Sequence, residues 1–301
     1  MSDVNASCID ESRSIALAQD YRLNGTVVNA VSYHPQDARA APSPSPSPAQ
    51  KAPHGKSANK SVDAETVLRS FNTWAFKREQ PDDLPLMQRV IADSIALREP
   101  VSFVLYWGKG PRGGIGEPDV ACLDYLASLA RRVRKAYEPG AAIKLIFTDT
   151  HAELNGHARP TVRDYFAAVE AKAGERGFET CLLSHLTRSA QDVVTIAADD
   201  DMVPEETLQR LSASAEKWYR GDGTAEKGAL RYFQMNMIEK RAVELAFPRS
   251  IFVTFNGSEL RSLFPDQLPI FYMYSLRRGV SIKPWFLPAP APADSESVAL
   301  P

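Results

Sequence analysis

The run Ile143-Lys144-Leu145-Ile146-Phe147-Thr148, which stops abruptly at Asp149, Thr150 and His151, restricts this chain most. A strand covered on both faces reads as a short apolar run rather than a strict alternation. Similar runs occur at Val101-Ser102-Phe103-Val104-Leu105-Tyr106-Trp107 and Ser250-Ile251-Phe252-Val253-Thr254-Phe255, with further candidates at 178–183, 270–274 and 280–283. Helix-length amphipathic stretches lie between the early runs. Strands alternating with helices predict an α/β fold, a doubly wound and mostly parallel sheet with helices on both faces. The last two runs are close enough to predict a hairpin at its edge.

The helices can be placed from their ends. Asp63 suits the N-cap of a helix with Val67, Leu68, Phe71 and Trp74 on one side. Pro85 suits the first turn of a second helix bearing Met87, Val90, Ile91 and Ile95, which Pro100 ends. Asp119 opens a third, with Leu123, Leu126, Leu129, Ala130 and Val133 inward. Further helices are predicted over 161–172, from Pro204, and over 225–246, where Met235 and Met237 fill core. After His151 the chain is expected to turn through Asn155-Gly156, and His185 and Trp218 read as structural.

Outside 63–287, expected to be one α/β catalytic domain, composition changes. Pro42, Pro44, Pro46 and Pro48 alternate with serine, which favours extended, solvated chain, so 1–62 reads as a disordered arm. Pro288, Pro290 and Pro292 mark 288–301 as a flexible tail. A formal charge of −2 gives no reason to expect nucleic acid or a membrane surface as partner. Cys8, Cys122 and Cys181 are too dispersed for a disulfide framework or a zinc site. No run approaches a membrane span, and no signal peptide is legible, so a cytoplasmic protein is expected.

Four constellations can carry chemistry. The loop Gly108-Lys109-Gly110-Pro111-Arg112-Gly113-Gly114-Ile115-Gly116 joins a strand to a helix, where free N–H groups and the helix dipole favour an anion. Lys109 and Arg112 add positive charge to a cradle that includes Gly108 and Gly110. The match to G-x-G-x-x-G is weak, because Pro111 sits at the helix entrance and Asp149 is too distant for the ribose acid. The second is Asp149 with His151, a carboxylate beside an imidazole at the mouth of the sheet, suited to moving protons. The alternative is that Asp149 caps the next turn. The third, Asp199-Asp200-Asp201, can hold Mg²⁺ or Mn²⁺. With Pro204-Glu205-Glu206 following, it reads more readily as a helix start. The fourth is Arg277, Arg278, Ser281 and Lys283, flanking the strand at 280–283 as an anion contact or as a charged edge. Neither a cofactor nor a metal is expected.

The Lys109 loop after a strand, a strand ending in Asp149 with Tyr165 on the helix within about 20 residues, and the late Val280-Ser281-Ile282-Lys283-Pro284-Trp285 together resemble isonitrile (isocyanide) synthases of pyoverdine and dityrosine biosynthesis. The resemblance spans roughly 65–287. It implies a Rossmann-like fold and a secondary-metabolic transferase that turns an amino acid's amine into an isonitrile. The carbon comes from ribulose 5-phosphate, without a redox cofactor. Its implied partners are an amino acid and a pentulose phosphate. Lys109, Asp149 and His151 would act in catalysis, and Arg112, Arg277, Ser281 and Lys283 would hold anionic groups. The alternatives are a metal-dependent nucleotide-sugar glycosyltransferase using Asp199–Asp201, and a non-catalytic Rossmann-like nucleotide-binding module.

Overall fold

The computed structural model describes residues 62–108, 113–190 and 203–274. The chain divides into Met1–Ser57 and Ala58–Pro301, and all described residues belong to the second unit. The expected arm, the tail, the strand at 280–283 with its hairpin, and Asp199–Asp201 lie outside them.

Helices α1 (Ala64–Phe71) and α2 (Leu84–Leu97) come first. Asp63 caps α1 by accepting from the Thr66 amide at 2.6 Å, and Asp83 caps α2 through the Leu86 amide at 2.9 Å. Then come β1 (Val101–Trp107), α3 (Glu117–Ala136), β2 (Ala141–Phe147), α4 (Asp149–Leu154), α5 (Arg159–Gly174), β3 (Glu179–Leu182) and α6 (Leu183–Ala190). The described chain continues with α7 (Glu205–Trp218), α8 (Ala225–Ala246), β4 (Ser250–Thr254), a 3-10 turn (Ser258–Leu263) and β5 (Ile270–Tyr272).

The five strands form one sheet in the order β3-β2-β1-β4-β5, and every neighbouring pair is parallel. The order reverses between β1 and β4, the topological switch point of a Rossmann-like sheet. Alternation along β1 divides the interior. Phe103, Leu105 and Trp107 join a core with α1, α2, α3 and α5, whereas Val104 and Tyr106 face the core built with α6, α7 and α8. The expected doubly wound sheet is therefore present, with helices on both faces.

Three local differences from the sequence reading have physical causes. Trp74 is 64% exposed, because α1 ends at Phe71 and the chain turns before the tryptophan can join the buried side. The chain turns through Asn155-Gly156 as expected, but the residues between Thr148 and that turn form the short helix α4. Thr148 ends β2 by donating its hydroxyl to the Trp107 carbonyl at 3.1 Å, and the helix starts at the next residue. Met237 is 38% exposed, and Met235 is half-buried. The side of α8 that faces inward instead carries Ala229, Phe233, Asn236, Glu239, Lys240 and Val243.

Gly108 closes β1 with φ +84°, and a β-carbon there would stand 2.6 Å from Phe166 Cε1. Left-handed backbone costs an L residue about 1–2 kcal/mol before any clash is counted. Gly108→Ala is expected to lower stability by about 2 kcal/mol or more in urea denaturation. An unchanged midpoint contradicts this packing.

Candidate active site

The base of the glycine-rich loop is held by a buried polar chain. Trp107 Nε1 donates to the Tyr165 hydroxyl at 3.1 Å, and that hydroxyl donates to Asp119 Oδ1 at 2.8 Å. Asp119 Oδ2 accepts from the Gly116 amide at 2.7 Å. Asp119 is the third residue of α3, so its charge sits where the helix dipole favours an anion. Lys109, Gly110 and Arg112 lie outside the described residues. Gly108 follows the carboxyl end of β1, and Gly116 precedes the first residue of α3.

At the carboxyl end of β2 the structure joins His151 to a carboxylate from elsewhere in the chain. His151 Nε2 lies 2.5 Å from Glu239 Oε2, and both side chains are 0% exposed. Thr150 donates from Oγ1 to the other Glu239 oxygen at 2.7 Å. The Tyr106 and Tyr232 rings meet the imidazole edge-on, with centroids 6.0 and 5.0 Å away. Burial pushes the Tyr106 phenol well above its ordinary range, and Glu239, Tyr232 and Glu244 push it the same way, so it stays neutral. The Tyr106 hydroxyl is buried without a hydrogen-bond partner among the described residues.

Asp149 does not share this pair. Its Oδ1 accepts from the Ser184 amide at 3.0 Å, at the start of α6. Residues two apart in a helix point to different sides, so α4 separates Asp149 from His151. Asp149 therefore meets the start of α6 and does not cap the turn that follows it. His157 is half-buried, and burial lowers its pKa; His185 is exposed. Arg277, Arg278, Ser281 and Lys283 are outside the described residues.

A cavity of about 850 Å³ opens beside α4. Its walls are Thr150, Glu153 and Leu154 of α4, the 219–222 connection between α7 and α8, and Arg231, Gln234, Met235 and Ile238 of α8. Gly156 permits this arrangement: its φ is +74°, and a β-carbon would stand 2.6 Å from the Arg220 carbonyl oxygen. Arg220 is held by the Tyr219 and Lys217 carbonyls at 2.7 and 2.9 Å. Glu153 is ion-paired with Arg159 at 2.7 Å. The lining thus brings both signs of charge to one cavity, with Arg220 and Arg231 against Glu153 and Asp222.

Glu239 and the cavity were missed from sequence. A signal existed in α8, where Asn236, Glu239 and Lys240 share the helical phase of Ala229, Phe233 and Val243. Polar groups on an apolar side require partners. Asn236 donates to the Tyr232 carbonyl at 2.7 Å and Lys240 to the Ser262 carbonyl at 3.0 Å, while Glu239 takes His151.

The described thiols are poor nucleophiles. Burial pushes Cys122 well above its usual range and Cys181 up to about 11. Among the described residues no group of three or more His, Cys, Asp or Glu side chains is placed to hold a metal ion. No described helix is long and apolar enough to cross a membrane.

Fold and site together define a Rossmann-like α/β protein with a charged cavity beside a buried imidazole–carboxylate pair. Among solved structures, the chain is similar to the PvcA protein of Pseudomonas aeruginosa, with a TM-score of 0.57 and 17% identity. The match covers 74% of this chain and 87% of that one. Tyrosyl-tRNA synthetase of Archaeoglobus fulgidus, complexed with L-tyrosine, gives 0.44 at 15% identity over 70% of this chain and 63% of that one. No family model and no curated protein matches the chain.

Two measurements test the site. Glu239→Leu alone should cost about 3–5 kcal/mol, because it strands a buried imidazole. Adding His151→Leu should recover at least about 1 kcal/mol of coupling in a double-mutant cycle. Strictly additive losses in urea contradict a direct pair. Tyr106→Phe removes an unpartnered hydroxyl and should raise stability by up to about 1 kcal/mol. A clear loss in thermal denaturation means that the hydroxyl has a partner.

Proposed function

We propose that the chain is a biosynthetic enzyme of the isonitrile synthase type, converting the amine of an amino acid to an isonitrile with a carbon from ribulose 5-phosphate. The observation that goes with this reading is the Rossmann-like fold that the resemblance implies, shared with PvcA over 74% of this chain and 87% of that one. The sequence resemblance through Lys109, Asp149, Tyr165 and 280–285 supports it independently of the fold.

The site suits the chemistry. An amine adding to a ketone must lose protons, while the ketone oxygen gains protons and departs as water. His151, buried against Glu239, supplies an imidazole in contact with a carboxylate, the side-chain types used in general acid–base catalysis. A zwitterionic amino acid needs a cation for its carboxylate and an anion for its ammonium, and Arg220, Arg231, Glu153 and Asp222 line one cavity. In this reading Lys109 and Arg112 hold the sugar phosphate beside Gly108, with Arg277, Ser281 and Lys283 as further anion contacts. Asp149 acts by fixing α6 against β2, and the reaction needs no cofactor. The glycosyltransferase alternative depends on Asp199–Asp201 and draws no support from any described group.

The test is mass spectrometry of the full chain incubated with the twenty amino acids and ¹³C-labelled ribulose 5-phosphate. The expected outcome is one amino acid that gains a single labelled carbon, with His151→Asn slowing the reaction by about 10²-fold or more. No labelled product from any amino acid overturns the assignment.

A further inference from the structure

We propose that Thr150, Glu239 and His151 form a proton relay serving the cavity, with Thr150 as its outer end and the buried pair as its store. The proposal rests on the reading of the chain as an amine-modifying enzyme and adds to it a route for the proton.

Glu239 and His151 are both fully buried, so a proton exchanged with a ligand must pass through a neighbour. Thr150 is that neighbour: it lines the cavity, and its hydroxyl donates to Glu239 Oε1 at 2.7 Å. A hydroxyl both donates and accepts. Thr150 can therefore take a proton from a ligand N–H while passing its own to Glu239. The ligand N–H bond breaks, an O–H bond forms on Thr150, and the original Thr150 O–H bond breaks as one forms on Oε1. The nitrogen keeps the electron pair, and the carboxylate becomes neutral.

The surroundings favour Glu239 as the acceptor. The Thr150 hydroxyl and His151 Nε2 converge on its two oxygens, one on each, so Oε1 is in direct hydrogen-bond contact with the residue that lines the cavity. Tyr106 from β1 and Tyr232 from α8 flank the imidazole, and Glu244 lies further along α8. The raised Tyr106 phenol holds its own proton and does not compete. A pair with a purely structural task would need no hydroxyl in a cavity wall.

Thr150→Val removes the hydroxyl and keeps the shape, whereas Thr150→Ser keeps the hydroxyl. In the full chain, Val should lower kcat by about 10²-fold with KM little changed, and Ser should restore most of the rate. Normal kcat in Thr150→Val overturns the relay. A second readout does not depend on turnover: the His151 imidazole followed by ¹⁵N NMR in the full chain. Removing the Thr150 hydrogen bond to Glu239 Oε1 alters the carboxylate that His151 contacts, so the imidazole resonances move in the Val variant and stay in place in the Ser variant. Unmoved resonances in Thr150→Val also overturn the relay. Moved resonances in a chain that makes no isonitrile support the relay and remove only the assigned reaction.

Discussion

The fold depends on β1 being dry on both faces. It is the central strand of a five-stranded parallel sheet, paired with β2 on one side and β4 on the other. Each face needs its own helical layer, and the crossover that supplies the second layer reverses the strand order beside β1. At about 25 cal/mol per Å² of apolar surface, side chains such as Phe103, Leu105 and Trp107 make this burial the main stabilising contribution. A parallel sheet also opens all its carboxyl ends on one edge, so Gly108, Thr148 and Leu183 emerge together. The site's position follows from the need to cover β1.

Two buried carboxylates then do opposite kinds of work. Asp119, fully buried, accepts from Tyr165 and the Gly116 amide and ties the start of α3 to α5. Its partners are a neutral hydroxyl and backbone, the arrangement of a structural anchor. Glu239 faces an imidazole and the hydroxyl of Thr150, a residue that lines the cavity. A desolvated polar pair is often no more stabilising than well-packed apolar groups, so stability alone gives little reason for Glu239 to face His151. Its connection to the cavity through Thr150 supplies a reason of another kind.

Much of the architecture was legible because parallel strands are written as local patterns. The limits of β1 and α8 coincide with the sequence reading, and Asp63 and Pro85 mark helix starts as expected. The site was legible only in part. His151 stood out because it follows an apolar run. Its partner did not, because 88 residues separate His151 from Glu239, and the neighbouring Asp149 offered a nearer carboxylate. At the mouth of the sheet the two residues read as one pair; helix α4 turns them apart.

The sequence by itself determined the fold class, the order of the described strands and of the helices other than α4 and α6, and the edge of the sheet at which chemistry could occur. Periodicity and caps act over a few residues, and the connection between parallel strands follows from them. Only the tertiary structure decided which carboxylate meets His151, that Asp149 serves α6, and that α4, α8 and the α7–α8 connection enclose a charged cavity. Those contacts depend on how α8 rotates against the sheet. That rotation is set by packing Phe233 and Val243 against the β-strand core, which no local pattern in α4 records.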